Sequence, residues 1–327
     1  MGEDSKPAAS ARPLRQVCRR VDGILLLDKP PGLSSNAALQ RARRLFAAQK
    51  AGHTGTLDPL ASGLLPLCFG EATKFAQSLL DANKEYLATV RFGRMTTTGD
   101  AEGETLRECA MSFSRAQFEA ALPGFLGQID QVPPRYAALK HEGRNYYEYA
   151  RAGVEIPRAP REVRIDAISI LVWNPPEVVL QIRCGKGTYI RTLAEDLAAA
   201  VGSCAHLAAL RRTASGPFML EQAVTLEGLE AMAQQARDAL LLPVDAPLAG
   251  LPRLDLDAEQ ACSLAEGRPV IVAAGQVGRR RCYGSRGDFL GLAEVDAGHV
   301  LRAVRLLRAD GGAGERAPER RWRERPD

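Results

Sequence analysis

The sequence lacks long hydrophobic segments. No apolar run approaches the roughly 18 residues that a membrane helix needs, and the first twenty residues contain no apolar core of a secretory signal. These residues hold Lys6 and four arginines instead, which predicts a disordered basic arm over residues 1–20. We therefore expect a cytoplasmic protein with no contact to a membrane.

Cysteine motifs and histidine are also scarce. The seven cysteines are odd in number, widely spaced, and never form Cys-x-x-Cys. This argues against a disulfide framework and a zinc site, and is typical of proteins from a reducing compartment. Only four histidines occur, and the one close pairing is His206 with Cys204. We therefore expect no bound metal.

The charges nearly balance, with 43 Lys and Arg against 39 Asp and Glu, so the net charge of +4 permits an anionic partner without demanding one. Residues 131–164 are an exception, because this segment contains seven basic residues and four tyrosines but only four acidic residues. Basic residues interleaved with aromatic residues favour RNA binding. The alternative is that residues 141–152 form a mixed-charge helix whose charged side is simply exposed to solvent. The basic residues are Arg135, Lys140, Arg144, Arg151, Arg158, Arg161 and Arg164, and the tyrosines are Tyr136, Tyr146, Tyr147 and Tyr149.

Helix and strand signals alternate along the chain. An apolar run at Gly23–Asp28 predicts a strand, and Ser34 or Ser35 can cap a following helix. Strict alternation from Tyr86 to Phe92 predicts a half-buried strand, and the spacing of Ser114 and Gln117 predicts a capping box. A further helix is predicted from about Glu71.

Two further alternating runs are separated by a turn at Asn174-Pro175-Pro176, which predicts an antiparallel pair of strands. The helix predicted from Tyr189 follows them. Together these patterns predict an α+β fold with a central mixed or antiparallel sheet flanked by helices. The expected inward face of the first run comprises Val163, Ile165, Ala167, Leu171 and Trp173, and that of the second comprises Val178, Leu180, Ile182 and Cys184.

A change of composition predicts a domain boundary near residue 250. Residues 216–270 carry nine acids against three bases, and a proline-rich joint begins at Pro243. Short β-like runs beyond it predict a small β-rich domain over residues 251–309 after a main domain over residues 21–250. The Gly-rich and then Arg-rich residues 310–327 predict a disordered tail.

The most informative segment is the loop from Gly52 to Gly63, which reads Gly-His-Thr-Gly-Thr-Leu-Asp-Pro-Leu-Ala-Ser-Gly. Loops of this composition lie at the surface and carry function more often than packing. Asp58 before Pro59 has two compatible interpretations. It can cap a helix whose first residue is Pro59, or it can be a catalytic carboxylate with His53 reaching the same ligand.

This loop resembles the signature of the TruB family of tRNA pseudouridine synthases, Gly-His-x-Gly-x-Leu-Asp-Pro-x-Ala-x-Gly, at every fixed position. The resemblance extends over about residues 21–309. It also includes the segments Gly23-Ile-Leu-Leu-Leu-Asp-Lys-Pro-Pro-Gly-Leu-Ser-Ser-Asn36, Gly70-Glu-Ala-Thr-Lys74, Lys84-Glu-Tyr86 and Lys186-Gly-Thr-Tyr-Ile-Arg-Thr192.

The resemblance implies a pseudouridine synthase fold, a PUA-like RNA-binding domain at the C-terminus, and an RNA-gripping insertion at about residues 131–160. It implies isomerisation of uridine-55 in the T-loop of tRNA without metal or cofactor, with the T-arm as partner; we expect a monomer. Asp58 is implied to act at the ribose of a flipped-out uridine, at C1′ or on the C2′ proton. The implied substrate-binding residues are His53, Tyr86, Tyr189, Arg191, Leu210, Lys29 and Lys74.

Within that resemblance Arg191 pairs with Asp58, which is expected to lower the pKa of the carboxyl group. Tyr86 is implied to stack on the base, Tyr189 and Leu210 to line the uracil pocket, and His53 to fill the space that the base leaves. Without the resemblance, Arg191 would be interpreted as a solvated arginine, Tyr86 and Leu210 as ordinary core residues, and His53 as an exposed histidine.

One position departs from the family, because Thr97 stands where an aspartate is usual, while Asp100 is kept. Gly185-x-Gly187 is a partial match to a dinucleotide fingerprint, but Ile190 occupies the third glycine position, which argues against a nucleotide oxidoreductase. A non-catalytic tRNA-folding chaperone is the alternative function.

Overall fold

The computed structural model describes residues 18–273 and 277–308, and most of the predicted basic arm and all of the predicted tail lie outside these ranges. The chain divides into two compact units, residues 1–250 and 251–327. In the described ranges, no helix is long and apolar enough to cross a membrane.

The first unit is built on a ten-stranded mixed sheet within residues 18–250. The strands are β1 (Gly23–Lys29), β2 (Ala51–His53), β3 (Ser62–Phe69), β4 (Lys84–Phe92), β7 (Gly127–Gln131), β10 (Arg161–Asn174), β11 (Glu177–Cys184), β12 (Ala205–Ser215), β13 (Phe218–Met219) and β14 (Val224–Thr225). The order across the sheet is β14-β1-β3-β12-β4-β11-β10-β7, with β2 paired to β3 and β13 paired to β12.

Two small hairpins stand apart from this sheet. They are β5 (Arg94–Thr96) with β6 (Thr105–Glu108), and β8 (Lys140–His141) with β9 (Arg144–Asn145). The α-helices of this unit are α1 (Ser35–Leu45), α2 (Ala76–Asp81), α3 (Arg115–Ala121), α4 (Tyr146–Arg151), α5 (Ile190–Ala200), α6 (Leu226–Ala231) and α7 (Gln234–Asp238). The 3₁₀ helices are Gly70–Phe75, Leu122–Phe125, Leu220–Gln222 and Ala246–Leu248.

Strand β1 lies in the interior of the sheet and is buried on both faces. Leu25 and Leu27 belong to the main core, which also contains residues of α1, α5 and α6. Ile24 and Leu26 belong to a second cluster on the opposite face with residues of α2 and the preceding 3₁₀ helix. Burial on both faces explains why this strand is a continuous apolar run rather than an alternating one.

Several predicted elements are confirmed. Ser34 caps α1 by accepting a hydrogen bond from the amide of Ala37, and Ser114 and Gln117 form the predicted capping box. Strand β4 alternates strictly, and β10 and β11 pair antiparallel as predicted. The helix predicted from Glu71 begins instead as a 3₁₀ helix at Gly70.

The predicted inward face of β10 is wrong at Ala167 and Leu171, whereas Trp173 packs on the core as predicted. Pairing with β11 shifts register between Ile165 and Ala167 and again between Ile170 and Val172, so each irregularity moves the following side chains to the other face. The residues that pack on the core are Ile165, Ile168, Ile170 and Trp173, whereas Leu171 is 51% exposed.

The predicted helix over residues 141–152 is also wrong at its start. Residues 140–145 form the β8–β9 hairpin, because Glu142 and Gly143 adopt φ of 49° and 85° at its turn. Two successive positive φ values fit a tight two-residue hairpin turn. Only Tyr146–Arg151 is helical.

The absence of a disulfide was also predicted wrongly. Cys109 and Cys204, 95 residues apart, form a disulfide bond with an S–S distance of 2.01 Å. The two residues are brought together because the strand after Cys204 lies beside the hairpin that ends before Cys109. This tertiary proximity leaves no trace in cysteine spacing.

The second unit is a five-stranded sheet with one α-helix among its described residues. The strand order is β15-β17-β18-β19-β16. A separate hydrophobic cluster lies within this unit, including Leu264 of the helix and Val295 of the sheet. The elements are β15 (Arg253–Asp255), α8 (Ala258–Ala265), β16 (Val270–Ile271), β17 (Gly278–Tyr283), β18 (Phe289–Val295) and β19 (Val300–Leu306).

Candidate active site

Asp58 lies on the loop between β2 and β3. The neighbouring Leu57 is held on both backbone groups by the buried Ser35, whose hydroxyl donates to the Leu57 carbonyl at 2.9 Å and accepts from the Leu57 amide at 2.7 Å. On the other side, the amide of Gly32 donates to the Pro59 carbonyl at 2.8 Å. No helix follows Pro59, and the chain enters β3 at Ser62. The helix-capping interpretation of Asp58 is therefore wrong.

Arg191 in the first turn of α5 contacts this carboxylate. Its side chain is only 5% exposed, and Nη2 lies 3.0 Å from Oδ2 of Asp58. The guanidinium also donates to the carbonyls of Thr98 at 3.0 Å and Tyr136 at 2.7 Å. Three separate segments thus fix its direction, and the alternative of a solvated arginine is wrong.

A second carboxylate shares this arginine. Oδ2 of Asp100 lies 3.8 Å from Nη1 of Arg191, and its side chain is 4% exposed. Asp100 is held in turn by the Thr98 hydroxyl and by the amide of Glu102 at 3.1 Å. The arginine therefore lies between two carboxylates, of which Asp100 is buried and Asp58 is partly exposed.

The pKa of Asp58 is raised from its ordinary value. Burial is the main cause, Arg191 opposes it, Asp100 adds to it, and Lys29 opposes it. Arg191 lowers the pKa of Asp58 as the sequence predicts, but the net shift is upward, because desolvation outweighs the ion pair. Since 36% of the side chain remains exposed, water still reaches the carboxylate.

Lys29 supports the loop from inside the protein. It has no exposed surface, and its ammonium donates to the carbonyls of Pro30 at 2.9 Å and Leu33 at 2.6 Å. Burial lowers the pKa of this lysine to about 8, partly offset by the charge of Asp58. The Lys29 ammonium thus lies behind the loop, where it holds backbone and adds positive charge near Asp58.

Tyr86 on β4 and Leu210 on β12 lie on neighbouring strands. Tyr86 is paired in register with Arg212, and Leu210 with Ala88; both Tyr86 and Leu210 are buried. Burial raises the pKa of the Tyr86 phenol, and the charge of Arg212 and a hydrogen bond from it oppose this.

Arg212 was missed by the sequence reasoning. Its side chain is buried and donates to the carbonyls of Leu64 at 2.6 Å and Gly55 at 3.1 Å. It therefore connects the loop that carries Asp58 with Tyr86. Two adjacent arginines at 211 and 212 give no local signal that the second one is buried.

Tyr189 immediately precedes α5. The side chain of Gln131 holds its backbone at both ends, donating to the Tyr189 carbonyl at 3.2 Å and accepting from the Tyr189 amide at 3.0 Å. Burial raises the pKa of this phenol, while Arg161 and Arg191 oppose the rise. The root of the 131–160 insertion is thereby attached to the helix end that carries Arg191.

His53 ends β2, opposite Leu67 of β3. Its Nδ1 is buried without a hydrogen-bond partner, and burial, aided by the charge of Arg212, lowers the pKa of the ring. The alternative of a freely exposed histidine is therefore wrong.

Lys74 lies away from this group. It is part of the 3₁₀ helix that follows β3, whereas Asp58 precedes that strand, which spans roughly 25 Å. Its ammonium pairs with Glu71 at 2.6 Å. The structure thus brings six of the seven predicted substrate-binding residues into the neighbourhood of the loop and separates the seventh.

Thr97 closes the turn of the β5–β6 hairpin. Its hydroxyl accepts a hydrogen bond from the amide of Glu104 at 3.1 Å, and its own amide donates to the Glu104 carbonyl at 2.9 Å. The hydroxyl oxygen is an acceptor here, as a carboxylate would be.

Some residues of the 131–160 insertion that were predicted to bind RNA are exposed, whereas others are buried or hydrogen-bonded within the insertion. Arg144 is exposed on β9, and Arg151 lies over the ring of Tyr147 at 5.6 Å from its centroid. Tyr146 is buried, and the hydroxyl of Tyr149 donates to the carbonyl of His141. Only part of the aromatic set is therefore available for stacking on bases.

In the second unit, Arg281 donates through Nε to the carbonyl of Leu251 at 3.0 Å, and Arg279 lies 4.0 Å from Glu294. In residues 18–273 and 277–308, no three His, Cys, Asp or Glu side chains are grouped so that they could hold a metal ion.

Comparison with known families gives three matches that follow one another along the chain. Residues 43–190 match the TruB family pseudouridylate synthase N-terminal domain. Residues 191–249 match the tRNA pseudouridylate synthase B C-terminal domain, and residues 252–307 match the pseudouridine synthase II TruB C-terminal model.

Curated relatives named tRNA pseudouridine synthase B are similar over nearly the whole chain. The protein of Thiobacillus denitrificans is 56% identical over 290 residues, covering 89% of this chain and 96% of the relative. That of Burkholderia mallei is 52% identical over 305 residues, covering 91% and 97%, and that of Methylobacillus flagellatus is 50% identical over 298 residues, covering 91% and 99%.

Solved structures share the fold. A Cbf5-Nop10-Gar1 complex contains a chain with a TM-score of 0.64 and 26% identity, covering 84% of this chain and 78% of that chain. An H/ACA RNP bound to a substrate RNA containing 2′-deoxyuridine gives a TM-score of 0.65 at 22% identity, covering 88% and 85%, and shows the fold alone. With its family matches and its relatives above 50% identity, the chain belongs to the TruB family of pseudouridylate synthases.

Proposed function

We propose that this protein is a tRNA pseudouridine synthase that isomerises uridine-55 in the T-loop, with Asp58 as its catalytic carboxylate. The observation that carries the proposal is the 3.0 Å contact between Asp58 and the buried Arg191 on a loop held from both sides. The names of the curated relatives support tRNA as the substrate.

The reaction needs few groups. The bond between C1′ and N1 breaks, the uracil turns, C5 bonds to C1′, the C5 proton leaves, and N1 takes up a proton. Asp58, whose side chain is about a third exposed, either attacks C1′ or removes the C2′ proton in the first step. In both routes the carboxylate must be ionised, and Arg191 favours the ionised form against the effect of burial.

Arg191 also orients the carboxylate. Its guanidinium is held by two backbone carbonyls from separate segments, so it cannot turn away from Asp58 without breaking both hydrogen bonds. A preorganised cation of this kind acts without reorganisation when charge develops.

A uridine within a folded RNA loop must leave the stack to reach this carboxylate, at a cost of a few kcal/mol. Stacking on an aromatic ring returns roughly 1–3 kcal/mol per base. Tyr86 is the ring proposed for this stacking, and Tyr189 and Leu210 are proposed to line the uracil pocket. The phenol of Tyr86, close to the guanidinium of Arg212, is also a candidate for taking the C5 proton.

The decisive experiment compares wild type with Asp58→Asn on T-arm RNA by base-resolved pseudouridine detection. We expect the variant to bind the RNA but to form no pseudouridine, because an amide can neither attack C1′ nor accept the proton. Asp81→Asn is the matched control, since Asp81 is an exposed aspartate paired with Lys186 at 2.8 Å on α2. This control should remain fully active.

The alternative function is a tRNA-folding chaperone. If wild type accelerates tRNA refolding but forms no pseudouridine, the catalytic proposal is wrong and the chaperone is favoured. If Asp58→Asn turns over as wild type does, the assignment of Asp58 is wrong even though the activity exists.

A further inference from the structure

The disulfide between Cys109 and Cys204 lies at the root of the β5–β6 hairpin. Cys109 directly follows β6, and Cys204 directly precedes β12. Hydrogen bonds accompany the crosslink: the amide of Gly93 donates to the Cys204 carbonyl at 2.8 Å, and the amide of Cys109 donates to the Gly93 carbonyl at 2.9 Å. The covalent bond thus ties the hairpin to the strand that carries Leu210 and Arg212.

The other end of this hairpin contacts the site. Its turn supplies the Thr98 carbonyl that accepts from Arg191, and it supplies Asp100. Beyond the crosslink, β12 holds this turn by two hydrogen bonds: the amide of Leu207 donates to the Gly99 carbonyl at 3.0 Å, and the amide of Ala101 donates to the Leu207 carbonyl at 3.0 Å. The position of the arginine therefore depends on how firmly the hairpin is attached to β12.

The pair is suited to thiol–disulfide exchange. Cys109 is half-buried and reachable from solvent, whereas Cys204 is buried. The remaining five cysteines are free, and three of them (Cys68, Cys184 and Cys282) are buried. Burial raises the pKa of the Cys68 thiol to about 12 and those of Cys184 and Cys282 to about 11, so these three are poorly reactive.

We propose that the Cys109–Cys204 pair is a redox-sensitive latch on the hairpin that positions Arg191, so that reduction of the disulfide lowers turnover. This inference rests on the proposed function. The two cysteines are positioning residues, because they act on the carboxylate only through the hairpin and the arginine.

The chemistry of the latch is an exchange with a low-molecular-weight disulfide. The Cys109 thiolate attacks one sulfur of that disulfide and releases one small thiol, leaving a mixed disulfide on Cys109. The Cys204 thiolate then attacks the Cys109 sulfur and releases the second small thiol. The protein dithiol is oxidised by two electrons with loss of two protons, and the small disulfide is reduced to two thiols. A small dithiol reverses both steps.

The test prepares the full chain in oxidised and reduced forms, using oxidised glutathione and dithiothreitol as reagents. Alkylation under denaturing conditions should count five free thiols in the oxidised form and seven in the reduced form. Steady-state kinetics on T-arm RNA should then show kcat lower in the reduced form by about twofold to thirtyfold, the range expected for coupling through a structural element.

The pH profile distinguishes positioning from simple stabilisation. Since Arg191 opposes the rise in the pKa of Asp58, a loosened arginine should move the acid limb of the rate profile to higher pH on reduction. Cys109→Ser should behave as the reduced wild type under both conditions, and Cys262→Ser, at an exposed free cysteine of the second unit, should keep the full redox response.

Three outcomes would overturn the latch. One is a thiol count of seven after oxidation. Another is a lower melting temperature on reduction with kcat and the acid limb both unchanged, which would make the bond a structural crosslink only. The third is equal hydrogen exchange of the Ala101 and Leu207 amides in the two forms. This last measurement needs no activity, so it decides the latch even if the protein forms no pseudouridine and the proposed function fails.

Discussion

At the residue scale, the site is an arginine shared by two carboxylates. Arg191 contacts Asp58 at 3.0 Å and Asp100 at 3.8 Å, but only Asp58 is open to solvent. Asp100 therefore has two opposing effects on its neighbour: it helps to hold the arginine, and its negative charge raises the pKa of Asp58. The two effects can be separated by pH.

Asp100→Asn should move the acid limb of the kcat/KM profile to lower pH. The amide keeps the size of the side chain but removes a charge that raises the pKa of Asp58, so the carboxylate stays ionised to a lower pH. The measurement is kcat/KM for pseudouridine formation across about pH 4.5 to 8 for wild type and variant. An acid limb that stays in place or moves to higher pH would contradict the charge argument.

At the element scale, β10 shows how two irregularities in the pairing register change which side chains of a strand face the core. Ile165 is fully buried before the first shift in register, whereas Leu171, further along the same strand, is half exposed at 51%. Alternation in the sequence does not reveal such a shift, since one inserted residue exchanges the two faces without changing the composition.

Substitutions at these two positions should therefore have unequal effects on the free energy of unfolding. Ile165→Ala should lower the free energy of unfolding by about 2–5 kcal/mol, because it leaves a cavity in the main core. Leu171→Ala should change it by no more than about 0.5 kcal/mol, as is usual for an exposed position. Urea denaturation of both variants measures this, and equal losses would show that Leu171 is packed as the alternation predicts.

The insertion at 131–160 gives a second prediction at this scale. Replacing Arg144 and Arg151 by Gln should weaken tRNA binding and reduce the slope of log affinity against log salt by roughly one to two, because each arginine that neutralises a phosphate releases about one counterion. Arg115→Gln is the control, since Arg115 pairs with Glu119 at 2.7 Å on the exposed face of α3. If the variant binds tRNA with the same affinity and the same salt dependence as wild type, these two residues are not part of the RNA interface.

At the scale of the whole molecule, the two units have separate cores. The clusters of the first unit contain only residues before 251, and the cluster of the second contains only residues after it. We propose that the first unit carries the chemistry and the second, over residues 251–309, adds affinity for tRNA. This predicts that a chain ending at Gly250 unfolds cooperatively and still modifies T-arm RNA, but with a higher KM for full-length tRNA.

Circular dichroism melting together with steady-state kinetics on both RNAs would test that division. Loss of cooperative unfolding in the shortened chain would show that the first unit depends on the second. An unchanged KM for full-length tRNA would show that the second unit does not contribute to substrate binding.

Much of this architecture could be predicted from sequence, because local physics suffices for it. The caps at Ser34 and Ser114, the alternation of β4 and the change in composition near residue 250 depend on neighbouring residues only. The loop around Asp58 is equally local, since its glycines and proline define it together with one carboxylate. Its resemblance to a family signature brought Arg191, 133 positions away, into the same prediction.

What the sequence by itself determined is thus the order of most elements and the family, and it supplied the proposal that Asp58 is the catalytic carboxylate. The tertiary structure alone decided the faces of β10, the burial of Arg212, the pairing of Cys109 with Cys204, and the direction in which the pKa of Asp58 moves. Each of these depends on which distant segments are packed together and how much water they exclude. Desolvation and contact are properties of three-dimensional neighbours, and the order of residues along a chain does not specify them locally.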